Sequence, residues 1–396
     1  MYVEVHQRTT MNILWSCLAT IFACTWVAVH PNIPGPRESE WLRFRRRFAT
    51  MFYAVIAPEV VTLWAMRQQS SCCKFYSEII GWFRIPDDES LQWTLSHGFF
   101  IQMGGFIFSQ DCEPASVITF KQLQHMIDNK IIDLPSLSEE DILDKSKGDL
   151  LTKILVVLQM TWFIVQCTGR WATGLPVTEL EVVTLAFAFL NIITYSLWWN
   201  KPQNVQRAVR ITKKSGAPKM EVEPPSQRRT WLERKFAEDD EGSENWLPWM
   251  ILITLLVPLK VVRDHDITEE TGVLFPSLIM SVLFGAIHLI PWVSSSFPSS
   301  TERTLWRICA CIIAIEPLPV AIGMGLYRLM GQHRIGTVLK MIMEAVGMSL
   351  GCLAFIGLPL YVLARFTLLV LAFTTLQSLP PSALQDISWS SFVPHV

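Results

Sequence analysis

The sequence predicts an all-α, multi-pass membrane protein, a bundle of about eight transmembrane helices. Three observations predict it. Hydrophobic residues make up 51% of the 396 and charged residues only 17%, against roughly a quarter in a soluble domain. The charge is gathered in a few loops, leaving uncharged runs that match the roughly 20 residues needed to cross about 30 Å of hydrocarbon. Tryptophans cluster where those runs meet polar sequence (Trp15, Trp26, Trp41, Trp64, Trp171, Trp198, Trp199, Trp246, Trp249, Trp292 and Trp306), which is the aromatic belt of a bilayer protein.

Residues 1–66 supply the first two spans, 12–30 and 48–66. The first is too long for the apolar part of a signal peptide and has no small-residue cleavage site, so it reads as a retained helix. Residues 67–149 are mixed: an apolar, glycine-containing stretch at 93–108, then Ser138 with Asp141, a helix-start signal. Residues 150–199 give spans 150–169 and 180–199. In the former, Gln159, Trp162, Gln166 and Arg170 share one helix face, and glutamines are costly against lipid, so this face is expected to line the interior. The 200–245 loop carries ten Lys/Arg between Pro-rich and acidic patches and reads as a flexible, cytosol-type linker. Residues 246–373 hold the last four spans, 246–262, 274–293, 306–324 and 346–373, the final one long enough to tilt or to break at Pro359. Residues 374–396 form a tail.

Charge bias sets the orientation and exposes a conflict. Positive-inside logic places both the 200–245 loop and the 31–47 loop, with Arg37, Arg43, Arg45, Arg46 and Arg47, in the cytosol. Three spans lie between them, an odd number of crossings. The stretch 93–108 is the expected remedy, as a short span or a re-entrant segment.

Net charge is −2, so no basic excess points to nucleic acid. Most of the nine cysteines fall in apolar runs, and no spacing marks a zinc site or a disulfide framework. The acidic motifs of magnesium–diphosphate chemistry, a His-Glu-x-x-His zinc motif, a P-loop and a dinucleotide fingerprint are all missing, so the sequence calls for no metal and no cofactor. Ionisable groups at membrane depth are functional candidates. Glu59 follows Pro58, Glu316 precedes Pro317, and His288 sits inside the sixth span; His97 precedes the glycine-rich stretch. Proline beside each glutamate frees a backbone carbonyl for a cavity or ligand. Glu181 reads as a first-turn carboxylate favoured by the helix dipole, and Arg365 as a group that snorkels or pairs. Candidate catalytic groups are therefore His97, His288, Glu59 and Gln166, with Trp162, Trp198 and Glu316 binding a substrate.

The blocks Trp15–Leu18, Phe22–Trp26, His30–Pro34, Ala57–Glu59, Trp64–Gln68, His97–Phe106 and Tyr195–Pro202 resemble the opening of a large family of fungal multi-pass membrane proteins. The resemblance covers roughly the first half of the chain. It implies an endomembrane protein, such as one of the endoplasmic reticulum, and a step in secondary-metabolite biosynthesis. In length the chain is similar to a membrane-bound pericyclase, a Diels–Alderase, of diterpenoid pathways. A cycloaddition needs an apolar cavity that folds a lipophilic substrate into its reactive shape, and one donor polarising a carbonyl. The leading expectation is thus a cofactor-independent cyclase or isomerase of a terpenoid. The alternatives are a transporter or channel, with Glu59 and Glu316 as substrate or proton sites, and a non-catalytic scaffold docking through the 200–245 loop.

Overall fold

A computed structural model describes residues 7–34, 38–82, 93–108, 116–133, 135, 137–146, 150–214, 268–293, 297–332 and 336–387. The chain is mostly helical. Helix α1 (Thr10–Phe22) runs on into a turn of π-helix at Ala23–Val27. It is followed by α2 (Glu40–Ile56), α3 (Pro58–Trp82), α4 (Leu95–Gln102), α5 (Phe120–Asp128) and α6 (Glu139–Lys145). Then come α7 (Leu150–Ala172), α8 (Glu179–Leu197), α9 (Thr268–Ile287), α10 (Ser300–Ile315), α11 (Pro317–Gln332) and α12 (Thr337–Thr374). Three short strands, β1 (Phe106–Phe108), β2 (Ser116–Val117) and β3 (Val209–Ile211), form a sheet in which β1 is antiparallel to β2 and parallel to β3. Among the described residues, six helical stretches are long and apolar enough to cross a membrane: Thr10–Val27, Leu151–Ala172, Glu179–Leu197, Gly272–Trp292, Ser300–Leu326 and Thr337–Ser378. The expected span 246–262 and most of the charged loop, 215–245, lie outside the described residues.

Polar contacts distinguish the two ends of the helix stack. At the tail end, Arg8 pairs with Glu181 at the start of α8, and Arg170 near the end of α7 donates to Gln385 O and Ala383 O. At the opposite end, His30 beyond α1 meets Lys201 beyond α8, while Arg43 and Arg47 of α2 reach Gln206 and Asn204. Residues 38–47 and 201–214, described parts of the two cationic segments, therefore share one end of the stack.

The means differ from the expectation. Span 48–66 is not a straight crossing. Pro58 has no N–H to continue α2, and Ala57 leaves the helical region at φ −138°, ψ 69°. Helices α2 and α3 meet there at 112°. Helix α2 enters from the 31–47 end, and α3 returns to it, where Gln68 accepts from Lys201 and Cys72 donates to Gln102. The pair doubles back toward the end it started from, so two helices long and apolar enough to cross a membrane, α7 and α8, lie between the cationic segments.

The stretch 93–108, conversely, crosses nothing. Helix α4 is eight residues long and leads through a turn into β1. Gly104 takes φ +81°, and a Cβ on Gly105 would lie 2.3 Å from the Phe100 ring, so glycine alone lets the strand close on the helix. Trp93, Phe100, Phe106, Ile118, Leu123 and Ile142 pack with Val205 and Ile211 as the core of a small cap. Residues 201–214 belong to that cap through β3, rather than to a flexible linker. The Ser138–Asp141 signal does open α6, with reciprocal bonds between the two residues.

Two further expectations shift. Helix α12 continues unbroken through Pro359 for 38 residues, about 57 Å at 1.5 Å each. The expected 306–324 span falls within the single stretch Ser300–Leu326, in which α10 gives way to α11 at Glu316 and Pro317 while Glu316 keeps a helical φ −53°, ψ −39°. On α7 the buried stripe is Val156, Met160, Phe163, Cys167 and Arg170. The Gln159–Trp162–Gln166 face therefore lies at the margin of the interior: Trp162 is 50% exposed, and Gln159 donates to Thr20 Oγ1 at 3.0 Å.

Candidate functional site

The break between α2 and α3 creates the problem around which the site is built. An unbroken helix would use Glu59 N–H and Val60 N–H to satisfy the carbonyls of Val55 and Ile56. Here Val60 N–H turns to Ala57 O at 3.1 Å. The Arg365 guanidinium of α12 takes over, donating from Nε to Ile56 O at 3.0 Å and from Nη2 to Val55 O at 3.1 Å. Its Nη1 donates to His288 Nε2 at 3.0 Å, so that nitrogen is bare. His288 Nδ1–H in turn donates to Phe284 O at 2.9 Å, and the imidazole is neutral with both nitrogens engaged. The guanidinium lies 4.7 Å from the Phe284 ring centre and 5.4 Å from that of Phe187. Phe187 is the ninth of the nineteen residues of α8, which sets the break near mid-height of the stack.

Glu59 stands in the first turn of α3, where the helix dipole favours a carboxylate. Tyr361 donates its hydroxyl to Glu59 Oε1. The other oxygen, Oε2, is buried and has no partner. Glu59 borders a small cavity of about 30 Å³ together with Ser277, Ser281, Leu274, Val320 and Met324.

Glu316 lies one turn of α12 away. A Cβ on Gly357 would sit 3.4 Å from Glu316 Cγ, and Gly357 precedes Tyr361 by four residues on one helix face. The two acids thus rest against successive turns of α12. Glu316 faces a cleft of about 450 Å³ between α10, α11 and α12. Its walls include Ile308, Cys311, Ile312, Ile315, Leu353 and Leu360; Arg307 and Trp292 mark one end. Arg307 donates to Trp292 O and lies 5.1 Å from that ring's centre.

The other residues singled out in the sequence lie apart from this constellation. His97 belongs to the cap. Thr94 N–H donates to its Nδ1 at 3.0 Å, and its Nε2–H donates to Leu137 O at 2.8 Å. Burial holds its pKa below the usual imidazole value, against the Leu137 bond and the Glu139 charge, which act the other way. Trp162 points outward from α7 and Gln166 is half-buried there. Trp198 is fully buried in a second cluster, at the cap end.

That cluster surrounds Lys201, the first of the ten cations in the 200–245 loop. Lys201 is fully buried. Its Nζ donates to His30 O at 2.5 Å and to Gln68 Oε1 at 2.9 Å, 4.5 Å from the ring centres of both Trp64 and Trp198. Trp198 Nε1–H shares the same Gln68 oxygen at 2.9 Å. Burial pushes the Lys201 pKa well down. It also takes His30 down to about 3, with the charges of Lys201 and Lys153 adding to the effect. His30, Trp64, Gln68, Trp198 and Lys201 come from segments up to 171 positions apart, and no motif or spacing in the sequence linked them. Glu181, as expected, caps α8: its Oε2 accepts from Thr178 N–H at 2.8 Å.

Set against known proteins, residues 2–220 match a family of unknown function, DUF8562. That range holds the bent α2–α3 pair, the cap and the Lys201 cluster, while the cleft and Arg365 lie beyond it. No curated protein and no solved structure matches the chain.

Proposed function

We propose, for a chain that belongs to the DUF8562 family and takes no function from it, that the helices span a bilayer and hold a lipophilic small molecule in the cleft beside Glu316. The cleft itself carries this reading. Its volume of about 450 Å³ falls inside the roughly 300–1,000 Å³ of sites for small organic ligands. It opens between helices, so a terpenoid-like molecule dissolved in lipid can enter sideways without passing through water.

The chemistry such a site favours is cyclisation or isomerisation. Either keeps every atom of the substrate, as a Diels–Alder closure does, and needs a shaped apolar wall and one proton donor. Ile312, Leu353 and Leu360 supply wall, and the Glu316 carboxyl is the acid that can polarise a substrate carbonyl. Microsomes containing the protein, supplied with a conjugated polyene carrying a carbonyl, should give a ring-closed product in a ratio different from the spontaneous one. Glu316→Gln should lower the rate by about 10²-fold or more, the scale of a positioned acid. An unchanged product ratio refutes the chemistry.

One observation favours a second reading, transport. A helix pair broken at mid-height, with a carboxylate at its tip, is how transporters build binding sites at the bilayer centre. Flux into proteoliposomes that disappears in Glu59→Gln would favour transport over catalysis.

A further inference from the structure

The small cavity at Glu59 has a chemical character that its lining residues fix. Ser277 Oγ–H donates to Leu274 O at 2.7 Å, and Ser281 Oγ–H donates to Ser277 O at 3.0 Å. Both hydroxyl protons are spent on their own helix, so each serine can offer the cavity only lone pairs. Tyr361 has spent its proton on Glu59 Oε1. The third polar element is Glu59 Oε2, buried and without a partner. The cavity is therefore a chamber of acceptors with no donor, and its 30 Å³ exceeds the roughly 10–15 Å³ that one water requires.

Charge points the same way. Around the break stand two carboxyls, Glu59 and Glu316, and one guanidinium, Arg365, whose contacts are with carbonyls and a neutral imidazole. None of the Arg365 hydrogen bonds goes to Glu59, so the Glu59 carboxylate has no cation bonded to it in an interior where an isolated charge is costly. A divalent ion would overshoot, and the cavity brings only one carboxylate to it. Among the described residues, no three His, Cys, Asp or Glu side chains gather to hold a metal.

We propose that this cavity binds one sodium-sized monovalent cation, held by Glu59 Oε2 and the Ser277 and Ser281 oxygens with water completing the shell. Oxygen ligands suit such a hard ion. The cation would fasten α3 to α9 at the break and so stiffen the tip of the re-entrant pair. The proposal is independent of the chemistry assigned to the cleft.

The experiment is thermal unfolding of the full chain in nanodiscs, with sodium chloride exchanged for choline chloride at constant ionic strength. Sodium should raise the midpoint by several degrees, and the rise should saturate, as mass action requires for a ligand of the folded state. Glu59→Gln should abolish the rise. Ser277→Ala/Ser281→Ala, which leaves the carboxyl in place and covers the case in which the first variant fails to fold, should move the half-saturating sodium concentration up at least several-fold. Superimposed sodium and choline curves overturn the proposal, and so does a serine double variant with wild-type sodium dependence. Neither result touches turnover in the cleft, which is read by product formation.

Discussion

Replacing Arg365 with leucine removes the side chain that closes the helix break. Val55 O, Ile56 O and His288 Nε2 would each lose a donor. At about 1–3 kcal/mol for each stranded buried acceptor, the gross cost is roughly 3–9 kcal/mol. Leucine no longer buries a guanidinium, which returns several kcal/mol, and the net loss should be about 2–5 kcal/mol, as when one partner of a buried polar pair is removed. At about 2 °C per kcal/mol, the unfolding midpoint in nanodiscs should fall by roughly 4–10 °C. Arg365→Lys keeps a charge but offers a point donor in place of a planar fork, so it should recover only part of the loss. Arg45, an exposed residue of α2, serves as the control, and its alanine variant should stay within about 0.5 kcal/mol of wild type. A leucine variant as stable as wild type, or a lysine variant indistinguishable from it, would show that the carbonyls at the break find donors elsewhere.

Three other outcomes follow from the same contacts. Gly285→Ala places a methyl 2.4 Å from Ala314 Cα, so α9 and α10 must part; a loss of about 1–3 kcal/mol is expected in the same unfolding assay. His30 titrates at about 3 in the fold and 6.5 outside it. Its lowered value makes its contribution complete above pH 6.5 and lost as pH falls toward 3, roughly 2–3 kcal/mol between pH 6.5 and 4.5. His30→Phe should flatten that part of the pH–stability curve, and an equal slope in both proteins refutes the assignment. Arg170→Met removes the donor held by Pro176 O, Ala383 O and Gln385 O, and amide exchange across 380–387 should accelerate at least tenfold while α8 stays protected.

Much of the helical layout was legible because span length and uninterrupted apolarity are additive properties of a window. Helices α1, α7 and α8 start within two residues of the expected positions, and of these α8 alone is announced by a capping box, from Thr178 and Glu181. Pairings were not legible, because they depend on which distant segment arrives opposite. Arg365 offered no sign that its partners are carbonyls three hundred residues earlier, and Lys201 looked like an ordinary cation at the end of a span. Proline beside glutamate was the better signal. It marked the break at Pro58 and the junction of α10 with α11 at Pro317, although at the first the freed carbonyls are taken by Arg365 instead of facing a cavity.

The topological conflict was itself real information. Counting cations placed 31–47 and 200–245 at one end, and described parts of the two, 38–47 and 201–214, are there, in contact through Arg43 and Gln206 at 3.0 Å. What charge counting could not supply was the location of the remedy. Hydropathy scores a broken pair such as α2–α3 like a straight span, because the average is blind to the 112° turn. It scores the buried core of the cap, at 93–108, like a short span for the same reason: both are apolar and neither faces water. What separates them in the structure is Ala57, which leaves the helical region before Pro58, and Gly105, which alone fits against Phe100. Proline alone is no rule, since Pro276 and Pro359 sit inside α9 and α12; at Pro58 the turn is sustained by Arg365, which supplies the donors that the freed carbonyls need. A parity violation in a multi-pass sequence therefore asks where a span can double back as well as where a crossing can be added, and here the residue after the break is the glutamate with an unpartnered oxygen.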